Sequence, residues 1–260
     1  MFKYYTKIWL RLTLSAFQIA LISRLSAFIF IFAKTLRFAF FIMIVYIVIG
    51  QTKSLAGYTL DQSLVFFLTF NVIDTLTQFL FRDVYRFRPQ VISGYFDYVL
   101  LKPLNTLFKA LLGGADPLDL FTLVPFLVIL GIFISRISIN PMMGILYILL
   151  FVNALLIATA FHIFVLSLGL MTTEIDHTIM IYRDLTSLAR FPVDIYREPL
   201  RAFITFVLPI GVMMTFPPKA LFGLLSPMAV IVAIAIGVGL LALSIAAWRF
   251  ALTKYTSASS

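Results

Sequence analysis

The stretch from Pro227 to Trp248 contains no charged residue and is followed by two basic residues, Arg249 and Lys254. An apolar helix of about 20 residues is long enough to cross the hydrocarbon core of a bilayer. Backbone amides in that core must be hydrogen-bonded within the protein. The same character extends along the chain, since 62% of its residues are hydrophobic, 12% are charged and the mean hydropathy is +1.06. We therefore predict one all-α integral membrane domain over residues 1–260.

Six membrane-spanning helices are predicted from the apolar runs and from the signals at their beginnings. Asp116, Asn140 and Ser226 are each followed by proline, and a capping side chain before proline suits the first turn of a helix. Thr59 and Gln62 have the spacing of a capping box. The predicted spans are residues 30–50, 60–81, 118–135, 142–170, 172–190 and 227–248.

Residues 1–29 have a different pattern from the spans. Lys3, Lys7 and Arg11 recur at helical spacing and place a basic stripe on one face. This pattern is typical of an amphipathic helix that lies in the membrane interface and contacts lipid. The alternative is that these residues form the cytosolic beginning of a longer first span.

Residues 191–225 are apolar but irregular. Pro209, Pro217 and Pro218 interrupt the stretch after Leu200, and each proline removes an amide hydrogen and disturbs the preceding turn. We expect this segment to be a re-entrant hairpin that enters the outer leaflet and returns before the last span.

The basic residues predict the orientation of the chain. Thirteen lysines and arginines fall on the side that holds both termini, six fall on the other side, and Arg183 lies within a span. Basic residues beside spans are retained in the cytosol, so both termini are expected inside, with Lys34 and Arg37 near the inner surface. The net charge of +9 is thereby explained by orientation and lipid head groups, and we expect no nucleic-acid partner.

Residues 82–110 form the longest polar interruption and are predicted to lie in the cytosol. The segment combines basic residues, such as Arg82 and Arg88, with an apolar and aromatic stretch that includes Tyr95, Phe96 and Tyr98. Such a stretch is costly to expose to water, and aromatic residues are common anchors of protein interfaces. A partner surface or the membrane interface is expected to receive it.

Three polar residues lie within the second predicted span. Asn71, Asp74 and Gln78 share one helix face, and a carboxylate inside the bilayer faces protein or water, not lipid. Two interpretations remain open, a polar clamp between helices and a part of the substrate path.

The chain resembles the permease subunits of type-2 ABC exporters of the prokaryotic plasma membrane, or inner membrane. The resemblance covers nearly the whole chain, from the interfacial helix to the broken hairpin. Its most specific motifs are Ser93-Gly94-Tyr95-Phe96-Asp97-Tyr98, Leu100-Leu101-Lys102-Pro103-Leu104-Asn105, Arg190-Phe191-Pro192-Val193-Asp194-Ile195-Tyr196 and the tail Lys254-Tyr255-Thr256-Ser257-Ala258-Ser259-Ser260.

The resemblance implies an ATP-driven permease that works as a pair with two ATP-binding subunits, the second permease being a copy or a homologue. It also implies that a coupling segment docks on the ATPase. The residues assigned to coupling are Gly94, Tyr95, Phe96, Asp97, Tyr98, Leu101, Lys102 and Pro103. No Gly-x-x-x-x-Gly-Lys-Ser/Thr motif occurs in the sequence, so we expect ATP hydrolysis in a partner and no enzymatic activity here.

Two other classes of function compete with this interpretation, a membrane-embedded enzyme and an ATP-independent channel or transporter. A membrane-embedded enzyme would draw on Glu174, Asp176 and His177, but these three residues cannot share one helix face. An ATP-independent channel or secondary transporter is the stronger alternative, although only one broken segment is present where paired broken helices are typical. With no cysteine and two histidines, we expect no metal and no other cofactor.

Overall fold

The computed structural model describes residues 2–22, 24–52, 54–172 and 175–256. Regular structure in these ranges is helical, apart from one antiparallel bridge between Leu55 and Tyr58. Five of the described helices are long and apolar enough to cross a membrane. They are α2 (Arg24–Thr52), α3 (Leu60–Leu80), α7 (Pro117–Ser135), α8 (Pro141–Thr172) and α13 (Pro227–Lys254).

The remaining α-helices connect and flank these five. They are α1 (Phe2–Ile22), α4 (Phe87–Ile92), α5 (Tyr95–Leu100), α6 (Thr106–Leu112), α9 (Ile175–Ser187), α10 (Leu200–Ala202), α11 (Ile210–Met214) and α12 (Phe216–Leu221). Tighter 3₁₀ turns occur at Arg82–Arg86, Leu188–Arg190 and Val193–Ile195, and a π-helical turn occurs at Phe203–Val207.

The predicted helix beginnings are confirmed. Asp116, Asn140 and Ser226 each accept a hydrogen bond from a backbone N–H of the following helical turn, at 3.0, 2.9 and 3.2 Å. Thr59 and Gln62 form the reciprocal capping box, with bonds of 3.4 and 3.0 Å. These bonds satisfy amide groups that have no partner inside the helix.

The amino-terminal boundary differs from the prediction. Helix α1 ends at Ile22 and α2 begins at Arg24, so the spanning helix starts earlier than residue 30 and the segment before it is shorter than residues 1–29. Helix α1 packs near the carboxyl end of α3, where the centres of the Trp9 and Phe79 rings are 6.2 Å apart. Helix α2 is mostly exposed in the single chain.

Helix α8 lies at the centre of the bundle and packs most extensively on α13. The side-chain amide of Asn153 donates a 2.9 Å hydrogen bond to the Ala233 carbonyl across this contact. Gly237 leaves the space that this amide occupies, since a Cβ there would overlap the Asn153 Oδ1 atom. The two helices therefore approach closely through a buried polar contact.

The segment that follows α8 runs antiparallel to α3. Ile179 belongs to the same buried cluster as Phe81 at the carboxyl end of α3, and the Tyr58 hydroxyl, just before α3 begins, donates a 2.9 Å hydrogen bond to Asp194. Helix α9 has 13 residues, too few to cross alone. The predicted span at 172–190 is thus not one continuous α-helix, because α9 ends at Ser187 and a 3₁₀ turn follows.

The proline-rich segment forms a folded-back pair of broken helices. Its two ends meet at Asp194, which pairs with Lys219 at 2.7 Å and with Arg201 at 3.9 Å. Between these ends the backbone breaks at Pro209, after the π-helical turn. The short helices α11 and α12 then pack on α8, where Val212 and Met213 are fully buried.

Candidate functional site

Two features of the structure are candidates for function, a surface at the carboxyl end of α3 and a charged cavity beside its middle. The surface is built by α4 and α5, which are joined by Gly94. The Gly94 φ angle of +71° lies in the left-handed region, which favours glycine. Its amide donates to the Val91 carbonyl and its carbonyl accepts from the Asp97 amide, both at 3.1 Å.

An apolar patch covers the exposed side of this helix pair. Tyr98 and Leu101 are 66% and 83% exposed, so this face has little contact with the rest of the chain. The exposed apolar residues are Ile92, Tyr95, Tyr98, Leu100 and Leu101. Contiguous apolar patches rimmed by polar groups mark interaction surfaces. We call these five residues, together with the exposed Lys102 and Pro103, the coupling patch.

Two residues assigned to coupling lie on the opposite side of α5. Phe96 is 1% exposed and its ring lies 6.3 Å from that of Trp248 and 5.3 Å from that of Tyr255. Asp97 accepts a 2.9 Å hydrogen bond from the Tyr255 hydroxyl. Burial, together with this acceptor, raises the pKa of Tyr255 to about 12. Phe96 and Asp97 therefore attach α5 to the end of α13.

Ion pairs fix the loop beneath the coupling patch. Arg82 pairs with the helix-capping Asp116 at 3.1 Å, and Lys109 pairs with Asp83 at 2.9 Å. Tyr85 lies in the same loop, and burial raises its pKa to about 12. The loop is thus tied to α6 and to the beginning of α7.

The second feature consists of two adjoining cavities, of about 70 and 270 Å³, between α2, α3 and α9. The two cavities have one aromatic ring, one carboxylate and three guanidinium groups of their lining in common. These shared residues are Arg37, Phe70, Asp74, Arg183 and Arg190. Asn71, Gln78 and Lys34 line the smaller cavity as well.

The three polar residues predicted in the second span line this cavity together. Asn71 donates to the Phe67 carbonyl at 2.7 Å, and Gln78 donates to Asp74 at 2.7 Å. Both bonds stay within α3. Neither of these two hydrogen bonds reaches another helix, and all three side chains line the cavity.

The basic residues of the cavity were not recognised as a group from the sequence. The sequence predicts Lys34 and Arg37 near the inner surface, and Lys34 forms an ion pair with Asp119 in the first turn of α7. Arg190 lies 4.2 Å above the centre of the Phe41 ring. The spacing of these residues in the sequence indicates the grouping in part. Lys34 and Arg37 are three residues apart, and Arg183 and Arg190 are seven residues apart, spacings that place each pair on one face of a helix.

The described residues include no group of three side chains that could hold a metal ion. Glu174, named with Asp176 and His177 for the enzymatic alternative, lies outside the described residues, as do the side chains of the other two. His162, in α8, is buried between the rings of Phe81 and Tyr182.

An apolar helical bundle with a charged internal cavity and an exposed patch on a loop defines a membrane transport component. Residues 35–259 match the family described as ABC-2 family transporter protein. The chain belongs to this family and is an ABC-2 type transporter permease. No curated protein and no solved structure matched the chain.

Proposed function

We propose that this chain is the permease subunit of an ATP-driven exporter and that the coupling patch docks on a separate ATP-binding subunit. The observation that carries the proposal is the patch itself, apolar and exposed on a helix pair with a left-handed turn at Gly94. Its opposite side is fixed to α13 through Phe96 and Asp97. A movement of the patch would thus be transmitted directly to a membrane-spanning helix.

The sequence indicates which subunit would supply the energy for transport. Without a phosphate-binding loop, this chain needs a partner to use ATP. Export, as the direction of transport, rests on the resemblance of the coupling and tail motifs to type-2 exporters.

We further propose six crossings of a prokaryotic plasma membrane with both termini in the cytosol. The crossing beyond the five long helices is made by residues 175–194, since Ile179 shares a buried cluster with Phe81 near one end of α3 and Asp194 accepts a hydrogen bond from Tyr58 just before the other end. The meeting of Arg201 and Lys219 at Asp194 supports a hairpin that returns to its own side. Six crossings also agree with the excess of basic residues inside.

A second permease, either a copy or a homologue, completes the translocation path in this proposal. Arg37 and Arg183 are exposed in the single chain, and in this proposal both belong to crossings and so lie within the bilayer. Charged side chains at that depth face protein or water and not lipid. A second permease against α2 and α9 would shield both residues and enclose the path past Asn71, Asp74 and Gln78.

Purification and reconstitution test this proposal. The detergent-extracted complex is expected to contain a subunit with a phosphate-binding loop, and liposomes with both subunits are expected to transport only with ATP and Mg²⁺. The matched control is the same complex with the phosphate-loop lysine of the ATPase replaced. Transport by this chain alone in ATP-free liposomes would favour a channel or secondary transporter and contradict the proposal.

A further inference from the structure

The cavity beside α3 brings together three guanidinium groups from two separate segments of the chain. Arg37 comes from α2, Arg183 from α9 and Arg190 from the turn after α9. Among the residues that the structure describes, none of the ion pairs includes any of these three arginines. None of these three charges is therefore neutralised by a direct ion pair within the described residues.

The balance of charge in the cavity is positive. Lys34 is paired with Asp119, so three arginines remain against two carboxylates, Asp74 and Asp184. One of these carboxylates, Asp74, already accepts a hydrogen bond from Gln78. An anion entering the cavity would thus find guanidinium donors, while a cation would meet a net repulsion.

The walls of the cavity are aromatic. Phe41 and Phe70 both lie close to Arg190, whose guanidinium carbon is 4.2 and 5.7 Å from their ring centres. Stacking on aromatic rings holds a guanidinium in place while leaving its N–H groups free to bind. The same rings offer contact to an apolar body beside the charge.

We propose that this cavity binds the anionic group of an amphipathic substrate, with Arg37, Arg183 and Arg190 as its donors. Planar guanidinium groups match the oxygen geometry of carboxylate, phosphate and sulfonate groups. The inference rests on the proposed function for its place on the transport path, but the binding site itself needs no ATPase. The anion is either the charged end of a soluble amphiphile or a lipid head group.

The test compares two fluorescent probes of nearly the same shape on the full chain in phosphatidylcholine nanodiscs. 8-Anilinonaphthalene-1-sulfonate carries a sulfonate, and N-phenyl-1-naphthylamine is its neutral analogue. In Arg37→Gln/Arg183→Gln the affinity for the sulfonate probe is expected to fall at least tenfold, about 1.4 kcal/mol. Binding of the neutral probe is expected to stay within about twofold.

Two control variants separate charge from folding. Arg136→Gln removes an exposed arginine that lies over Phe133, outside the cavity, and is expected to bind the sulfonate probe like the wild type. Arg37→Lys/Arg183→Lys keeps both charges and is expected to recover part of the affinity. Equal sulfonate affinity in the wild type and the Gln variant overturns the proposal, as does an equal loss for both probes.

Competition identifies the source of the anion. Displacement of the sulfonate probe by inorganic phosphate points to soluble anions, and displacement only by phosphatidylglycerol in the disc points to a lipid head group. Both results support the site, and displacement by neither contradicts it. Because the measurement uses no ATP, a failed transport assay with charge-dependent binding would reject the proposed function and keep the site.

Discussion

Replacing Gly94 should weaken coupling by a calculable amount. A Cβ at this position would lie 3.6 Å from the Asp97 carboxylate, which is an ordinary contact, so the cost comes from the backbone and not from crowding. Holding an L-residue in the left-handed region costs about 1–2 kcal/mol. That energy corresponds to roughly a 5- to 30-fold shift away from the observed turn. A β-branched residue should reach the upper end of this range.

The assay is ATP hydrolysis by the purified complex with and without transport substrate, in the series Gly94→Asn, Gly94→Ala and Gly94→Val. Asparagine tolerates the left-handed region, so the loss of stimulation should increase along the series. Gly131→Ala is the control, since its Cβ meets no atom within 4 Å. Full stimulation in Gly94→Val, with the complex intact, would refute the reasoning and move the contact elsewhere in the loop.

Three further outcomes are expected. Tyr255→Phe should lower coupling several-fold. The difference from wild type should be constant from about pH 6 to about pH 9, because the raised pKa keeps Tyr255 protonated until the pH rises through about 12. A difference that disappears within that range would contradict this prediction. Gly237→Ala should lower the melting temperature because its Cβ overlaps Asn153, whereas Gly239→Ala, with open space, should not. Asp74→Cys should react with an aqueous thiol reagent, and reaction with lipid-phase probes alone would place it outside the path.

Helix beginnings could be predicted because their signals are local. Asp116, Asn140 and Ser226 act on amides within the next turn, so their role does not depend on the rest of the fold. The direction of the side chains on α5 was not predictable in the same way. Phe96 faces inwards because α5 packs on Trp248, a contact across about 150 residues of sequence.

The charged cavity shows the same limit. Asn71, Asp74 and Gln78 share a face of one helix, and the sequence placed them together. Arg37 and Arg183 join them only because α2 and α9 both pack beside α3, and no local pattern encodes that neighbourhood. The continuous span expected at 172–190 failed for a related reason, since its helical spacing does not reveal the turn at Leu188–Arg190.

The central claim is that the coupling patch contacts an ATP-binding subunit, and site-specific photo-cross-linking in native membranes tests it most directly. A photoreactive residue at Leu101, the most exposed apolar residue of the patch, is compared with one at Met228, an apolar residue that is 66% exposed at the beginning of α13, the end away from α5. We expect Leu101 to capture a protein with a phosphate-binding loop and Met228 to capture none. Capture of that protein at Met228 but not at Leu101 would contradict the proposed coupling site.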